Sequence, residues 1–342
     1  MNRLTNRVAR IAAILWIGAS LGCVASDKST IEQASAFNTG LSPAEIREAH
    51  NNQYLQQIGD RIVAVAKQMD QQGIGPKTHF KEKDNSWMFQ DLHWELVNSK
   101  TVNAFTTGGH FVYIYNALFQ MCKNENELAA VMAHEYGHIY SRHVQKGAGR
   151  QQALAAATLV AAGAGYAYGG SQNGSQYSQQ AAALAQGGGS FFEMGYTRDD
   201  EAQADEVGFM FYVKAGWPPE HFADFFKDMI AAGYDKTPAV QSDHPTLASR
   251  VLKANERVAA LDRPKFAAYL KPNIVTQEQF NQIKSAANAA SAGIPDDQKV
   301  LQAKNLLQAL PRSCWVPYEA DDQKQAQQKI IDALNAKQPT AK

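Results

Sequence analysis

The sequence predicts a mainly helical α+β protein with a small antiparallel sheet and a C-terminal helical subdomain. Three observations predict it. Much of the chain places apolar residues at helix-like spacing, two short runs near residues 94–115 are aromatic and β-branched, and the next helix carries Ala133-His134-Glu135-Tyr136-Gly137-His138. With 342 residues and 45% hydrophobic content, the chain can bury a real core. Lysine plus arginine and aspartate plus glutamate both total 33, so no net field draws the protein to nucleic acid or to an anionic membrane surface. Partners must therefore be argued from sites.

The first element, residues 1–22, has the layout of a secretory signal: Arg3, Arg7 and Arg10 precede an apolar run from Ile11 to Gly22 that is short for a membrane span. Ser20-Leu21-Gly22-Cys23 is similar to a bacterial lipoprotein box, which makes Cys23 a candidate for lipidation and would give the protein a lipid anchor in the membrane; the rival is cleavage after Ala25. Both outcomes place the chain on the periplasmic side of the envelope. There, Cys122 and Cys314 are either a disulfide pair or two separate buried thiols.

Residues 23–40 are small and polar, as expected of a linker, so folded structure is expected from about Leu41. Ser42-Pro43 then opens a helix expected to run through Met69 and to end at Gln72-Gly73. Strand-like runs follow at Trp94–Val97 and His110–Tyr115, with Gly108-Gly109 supplying turn chemistry between them. Asn124 is placed to cap the next helix, with Glu127 three residues on, and that helix is expected to reach about His143. Gln151 to Phe192 has no charged residue and is mostly Ala, Gly, Ser and Gln, which suits a packed helix and a glycine-rich loop better than a membrane span. Thr197 caps a further helix that ends near Gly216. Residues 261–342 read as a C-terminal helical region of unknown role, after a main domain at 41–260.

His134, Glu135 and His138 form H-E-x-x-H. At 3.6 residues per turn, His134 and His138 lie about 40° apart on successive turns, so both imidazoles can reach one ion. Glu135 lies about 60° from His138, suited to meeting a water beside the metal as general base. On the same helical wheel His143 falls about 180° from His134 and is expected to face away. Catalytic zinc takes three protein ligands and keeps one position open, and Glu201 is the candidate for the third. Asp205 lies one turn beyond Glu201 and is placed to accept the distal N–H of a ligating histidine.

AHEYGHIYSRH, EAQAD and SDHP followed by Arg250 resemble the gluzincin metallopeptidase family of HtpX and the CAAX prenyl endopeptidases. The similarity covers roughly Leu41 to Ala260 and includes Asn103-Ala104-Phe105 and Gly108-Gly109. It implies a zincin-like, mainly helical metallopeptidase fold, with one zinc ion per chain held by His134, His138 and Glu201. The family's multi-span members have several membrane helices that this chain lacks, so the resemblance is nearest to its soluble or lipid-anchored periplasmic members, which act in envelope protein quality control. It also places His244 near the zinc.

From these readings follows an endopeptidase acting on polypeptides, without nucleic acid and with an unassigned oligomeric state. Glu135 would take a proton from water and return it to the leaving amine. His244 and Arg250 are candidate oxyanion donors, and His244 has a second reading as an inhibitory fourth ligand. Asn103, Ala104 and Phe105 are expected to expose a strand that pairs with extended substrate. The rival outside peptidase chemistry is a zinc-stabilised chaperone or scaffold. It would tolerate loss of Glu135, which is present.

Overall fold

The computed structural model describes residues 26–74, 84–147, 196–234 and 245–309. The N-terminal apolar run, Cys23, residues 151–192, His244 and Cys314 lie outside the described residues. Among the described residues no helix is long and apolar enough to cross a membrane.

The first helix, α1 (Asp27–Leu41), replaces the expected linker. Ser26 caps it, and Asp27, Thr30, Ala34 and Leu41 are buried at helical intervals. The inward residues are mostly small or polar, so the stripe is inconspicuous in sequence. Asp27 on this stripe pairs with the buried Arg142.

The helix expected from Pro43 starts later. Ser42–Ala44 is a single 3-10 turn, and the chain then runs extended so that Ile46 N–H donates to Leu96 O at 2.7 Å. The long helix α2 (Ala49–Gln71) follows, its first turn capped by the Glu48 carboxylate on the Asn51 N–H. Tyr54, Leu55, Ile58, Ile62, Val63, Ala66 and Met69 face inward at the i, i+3, i+4 intervals of an amphipathic helix.

Among the described residues the sheet has three strands, β1 (His93–Val97), β2 (Ala104–Thr106) and β3 (Phe111–Tyr115), in the order β1-β3-β2. It is mixed, which corrects the purely antiparallel expectation. β2 pairs antiparallel with β3 across the glycine turn, whereas β1 pairs parallel with β3, His93 against Phe111 through Val97 against Tyr115. The physical reason lies in β3. Its sequence, FVYIY, suits the centre of the sheet, where both edges are paired.

The short helix α3 (Asn116–Met121) leads to α4 (Glu125–Tyr140) at the centre of the molecule, capped by the Asn124 side chain as expected. After a helical run at residues 143–147, α5 (Arg198–Ala215) begins with a capping box between Thr197 and Asp200 and ends at Gly216 in the left-handed region. Five more helices complete the described chain: α6 (Asp224–Ala231), α7 (Leu247–Ala259), α8 (Arg263–Ala267), α9 (Gln277–Ala292) and α10 (Gln298–Ala309).

The C-terminal helices share the apolar clusters of the rest of the chain. Phe280 on α9 packs edge-on against Tyr54 and Phe119 in the main core. Ala303 and Leu307 on α10 join Leu41, Val97, Phe105 and Tyr115 in a second cluster between α1 and the sheet. Glu125, at the start of α4, ties these parts together: it accepts from Tyr54 OH, Trp217 Nε1 and the backbone N–H groups of Ile274 and Val275.

Candidate metal centre

α4 is buried on every side, and α5 crosses it closely enough to share one site. Two glycines permit that approach. A Cβ on Gly137 would stand 2.8 Å from Ala204 O, and one on Gly208 would stand 2.9 Å from His134 Cα. Without side chains at these two positions, the helix backbones meet and Glu201 reaches the histidines.

The Nε2 atoms of His134 and His138 are 3.0 Å apart. The Glu201 carboxylate lies 3.5 Å from Nε2 of His134 and 3.7 Å from Nε2 of His138. All three side chains are fully buried. Tetrahedral zinc, with bonds of about 2.0–2.1 Å, spaces its ligand atoms ~3.3 Å apart, so the observed separations bracket what one ion requires. Two imidazoles and a carboxylate are also the donor chemistry of a catalytic zinc site. Among the described residues, His134, His138 and Glu201 are the group of His, Cys, Asp and Glu side chains placed to hold an ion.

The supports behind the two histidines differ. His134 Nδ1 lies 2.9 Å from Asp205 Oδ1, the partnership expected of Asp205. Arg250 holds the same carboxylate, Nε to Oδ2 at 2.8 Å and Nη2 to Oδ1 at 2.6 Å, and its guanidinium rests on the Phe226 ring. Arg250 was a candidate oxyanion donor, but it is buried on the Nδ1 side of His134, away from the Nε2 that faces the ligand group. That position makes it a support for Asp205.

Burial opposes ionisation of Asp205, but the Arg250 guanidinium and His134 hold it well below the usual carboxylate range. Burial likewise opposes the charged form of His134, but the Asp205 and Glu201 carboxylates outweigh it and raise this histidine from its ordinary 6.5 to about 9.

His143 does not face away as the helical wheel suggested. α4 stops at Tyr140, and Arg142 adopts a left-handed conformation with φ 53°, so the next residue turns back toward the helix. His143 Nδ1 then lies 2.8 Å from His138 Nδ1. The turn is held from outside the site: Arg142 donates to both Asp27 oxygens, at 2.9 and 3.0 Å, and Gln145 donates to Asp27 as well. Tyr196 stacks on the His138 ring with centroids 3.8 Å apart, and its hydroxyl donates to Thr106 O. No local signal in the sequence marked His143, Gln203 or Tyr196 for this place.

Asn103 precedes β2, Ala104 and Phe105 lie in it, and all three side chains are buried beside α4. Glu135 is fully buried on α4 next to His134. Cys122 is a buried free thiol, and burial raises it well above the ordinary thiol range.

The chain matches the model of "Peptidase family M48" over residues 49–258, well over half its length. It is 30% identical over 211 residues to the beta-barrel assembly-enhancing protease of Escherichia coli (strain K12), an alignment covering 60% of this chain and 38% of that protein. The protein of the same name from Yersinia pestis is 29% identical over 209 residues, with 60% and 38% covered. Metalloprotease LoiP of Escherichia coli (strain K12) is 26% identical over 171 residues, covering 50% of this chain and 64% of LoiP. The chain thus spans well under half the length of the two assembly-enhancing relatives. Together with the two-histidine, one-glutamate centre on α4 and α5, the match over the site-bearing residues means that the chain belongs to peptidase family M48.

Proposed function

We propose that the protein is a zinc-dependent endopeptidase of the bacterial envelope that cleaves unfolded or misassembled proteins on the periplasmic side. The observation that carries this reading is the convergence of His134 Nε2, His138 Nε2 and the Glu201 carboxylate in a buried site, with Glu135 on the same helix. When bound, one zinc ion would supply Lewis acidity toward water and the scissile carbonyl. Glu135 takes the proton of the attacking water and returns it to the leaving amine. Asp205 and Arg250 hold His134 in place behind the ligand atoms.

Substrate tolerance is the part the sheet supports. The Asn103–Phe105 segment lies beside α4 with its side chains buried, so an extended substrate docking there would be read through the main chain. Such pairing suits unfolded polypeptides of unrelated sequence. The envelope reading is supported by the secretory layout of residues 1–22 and by relatives whose names refer to β-barrel assembly.

The test is zinc analysis of the purified protein alongside cleavage of unfolded casein with and without a chelator. One zinc per chain and chelator-sensitive internal cleavage are expected. A fully zinc-loaded protein that cuts nothing would overturn the reading in favour of a chaperone or scaffold.

A further inference from the structure

The second ligand histidine has a support unlike that of the first, and its logic starts at a lysine. Lys146 Nζ lies 3.1 Å from Gln203 Oε1. An ammonium group only donates, so the Gln203 atom facing it is the acceptor oxygen. The same oxygen lies 2.9 Å from His143 Nε2, which must therefore carry a proton and donate it. In a neutral imidazole the other nitrogen is then an acceptor, so His143 Nδ1 receives from His138 Nδ1 across 2.8 Å. With its proton on Nδ1, His138 turns the lone pair of Nε2 toward the point where the ligand atoms of His134 and Glu201 converge.

We propose that His143 is a positioning residue for the metal centre, the middle link of a Lys146-Gln203-His143 chain that sets the tautomer and orientation of His138. The inference rests on the zinc reading above and adds residues to it. His143 is fully buried, and the left-handed turn at Arg142 delivers it, so its place is built by the backbone. Asp200 lies 3.7 Å from His143 Nε2, beyond hydrogen-bond reach, which leaves the Gln203 oxygen as the acceptor that orients the ring. The two ligand histidines are thus supported differently: His134 Nδ1 meets the Asp205 carboxylate, whereas His138 Nδ1 meets the His143 ring. Partners of this kind are worth roughly 10–100-fold in metal affinity when they are lost.

The experiment measures zinc dissociation constants by competition with a chromophoric chelator for wild type, His143→Leu, His143→Asn and Gln203→Leu. The unfolding midpoint of each metal-free protein is recorded, and the cobalt-substituted forms are compared by visible spectroscopy. His143→Leu should bind zinc roughly 10–100-fold more weakly and shift the cobalt bands. His143→Asn keeps an acceptor near the Nδ1 position and should recover most of the affinity. Gln203→Leu, at a partly exposed position on α5, should give a smaller loss in the same direction and decides the matter if His143→Leu does not fold.

Wild-type affinity and an unshifted cobalt spectrum in His143→Leu, or in Gln203→Leu where that variant decides, would overturn the proposal. So would an equal loss in His143→Leu and His143→Asn, because packing alone would explain it. If wild type takes up no zinc, the metal reading falls and the positioning role with it. If wild type binds zinc and the variants match it, the positioning role alone fails.

Discussion

His134 and Asp205 are joined Nδ1 to Oδ1 at 2.9 Å, and Arg250 grips both oxygens of that carboxylate from behind. The pair fixes which nitrogen of His134 faces the ligand group. It also separates two roles for Arg250. Arg250→Ala should weaken zinc binding by roughly 10–100-fold, as loss of a ligand's support does. An oxyanion donor would instead cost roughly 10²–10³ in kcat at unchanged zinc affinity. Chelator competition and steady-state kinetics on the same preparation distinguish them.

Glu135→Gln keeps the size of the side chain and removes the proton carrier. Peptide cleavage should fall by roughly 10²–10⁴-fold or more, with zinc content and unfolding midpoint unchanged. Turnover close to wild type would remove Glu135 from the chemistry.

Zinc binding should strengthen with pH. In the metal-free protein His134 is raised to about 9, above its ordinary 6.5. The stability contributed by its proton is therefore complete below 6.5 and lost as pH rises through about 9. Zinc must displace that proton, so affinity should climb roughly tenfold per pH unit through this window and level off above it. Asp205 is depressed and stays ionised throughout, its contribution lost only on strong acidification. Chelator competition between pH 6.5 and 9.5 measures the slope, and a flat profile would contradict it.

Gly208→Ala places a methyl group against the His134 backbone, where a Cβ would stand 2.9 Å from Cα. α5 must move away and carry Glu201 with it. A stability loss of about 1–3 kcal/mol, typical of overpacking, should accompany weaker zinc binding. Urea unfolding and zinc titration of the same variant give both numbers.

Asp27→Ala removes the partner of a buried guanidinium at the turn that follows α4. Breaking such a pair costs about 3–5 kcal/mol, read by urea unfolding of the metal-free protein. A variant as stable as wild type would mean that α1 is a passive cover over the sheet.

What the sequence determined by itself is local. The spacing of His134, Glu135 and His138 is fixed by the helical repeat, Asn124 and Thr197 set the starts of their helices, and a single turn relates Glu201 to Asp205. These need only neighbours along the chain. The tertiary structure decided what depends on two distant segments meeting. Glu201 reaches the histidines because Gly137 and Gly208 let two helix backbones touch. Arg250 lies behind His134 because α7 brings it to Asp205, and a sequence alone cannot distinguish that buried arginine from a charge beside the substrate. The helical wheel misplaced His143 because α4 ends three residues earlier and turns through a left-handed residue. α1 was unreadable for a related reason: its inward face is small and polar, and burying Asp27 becomes favourable only when Arg142 arrives from the far end of the site to pair with it.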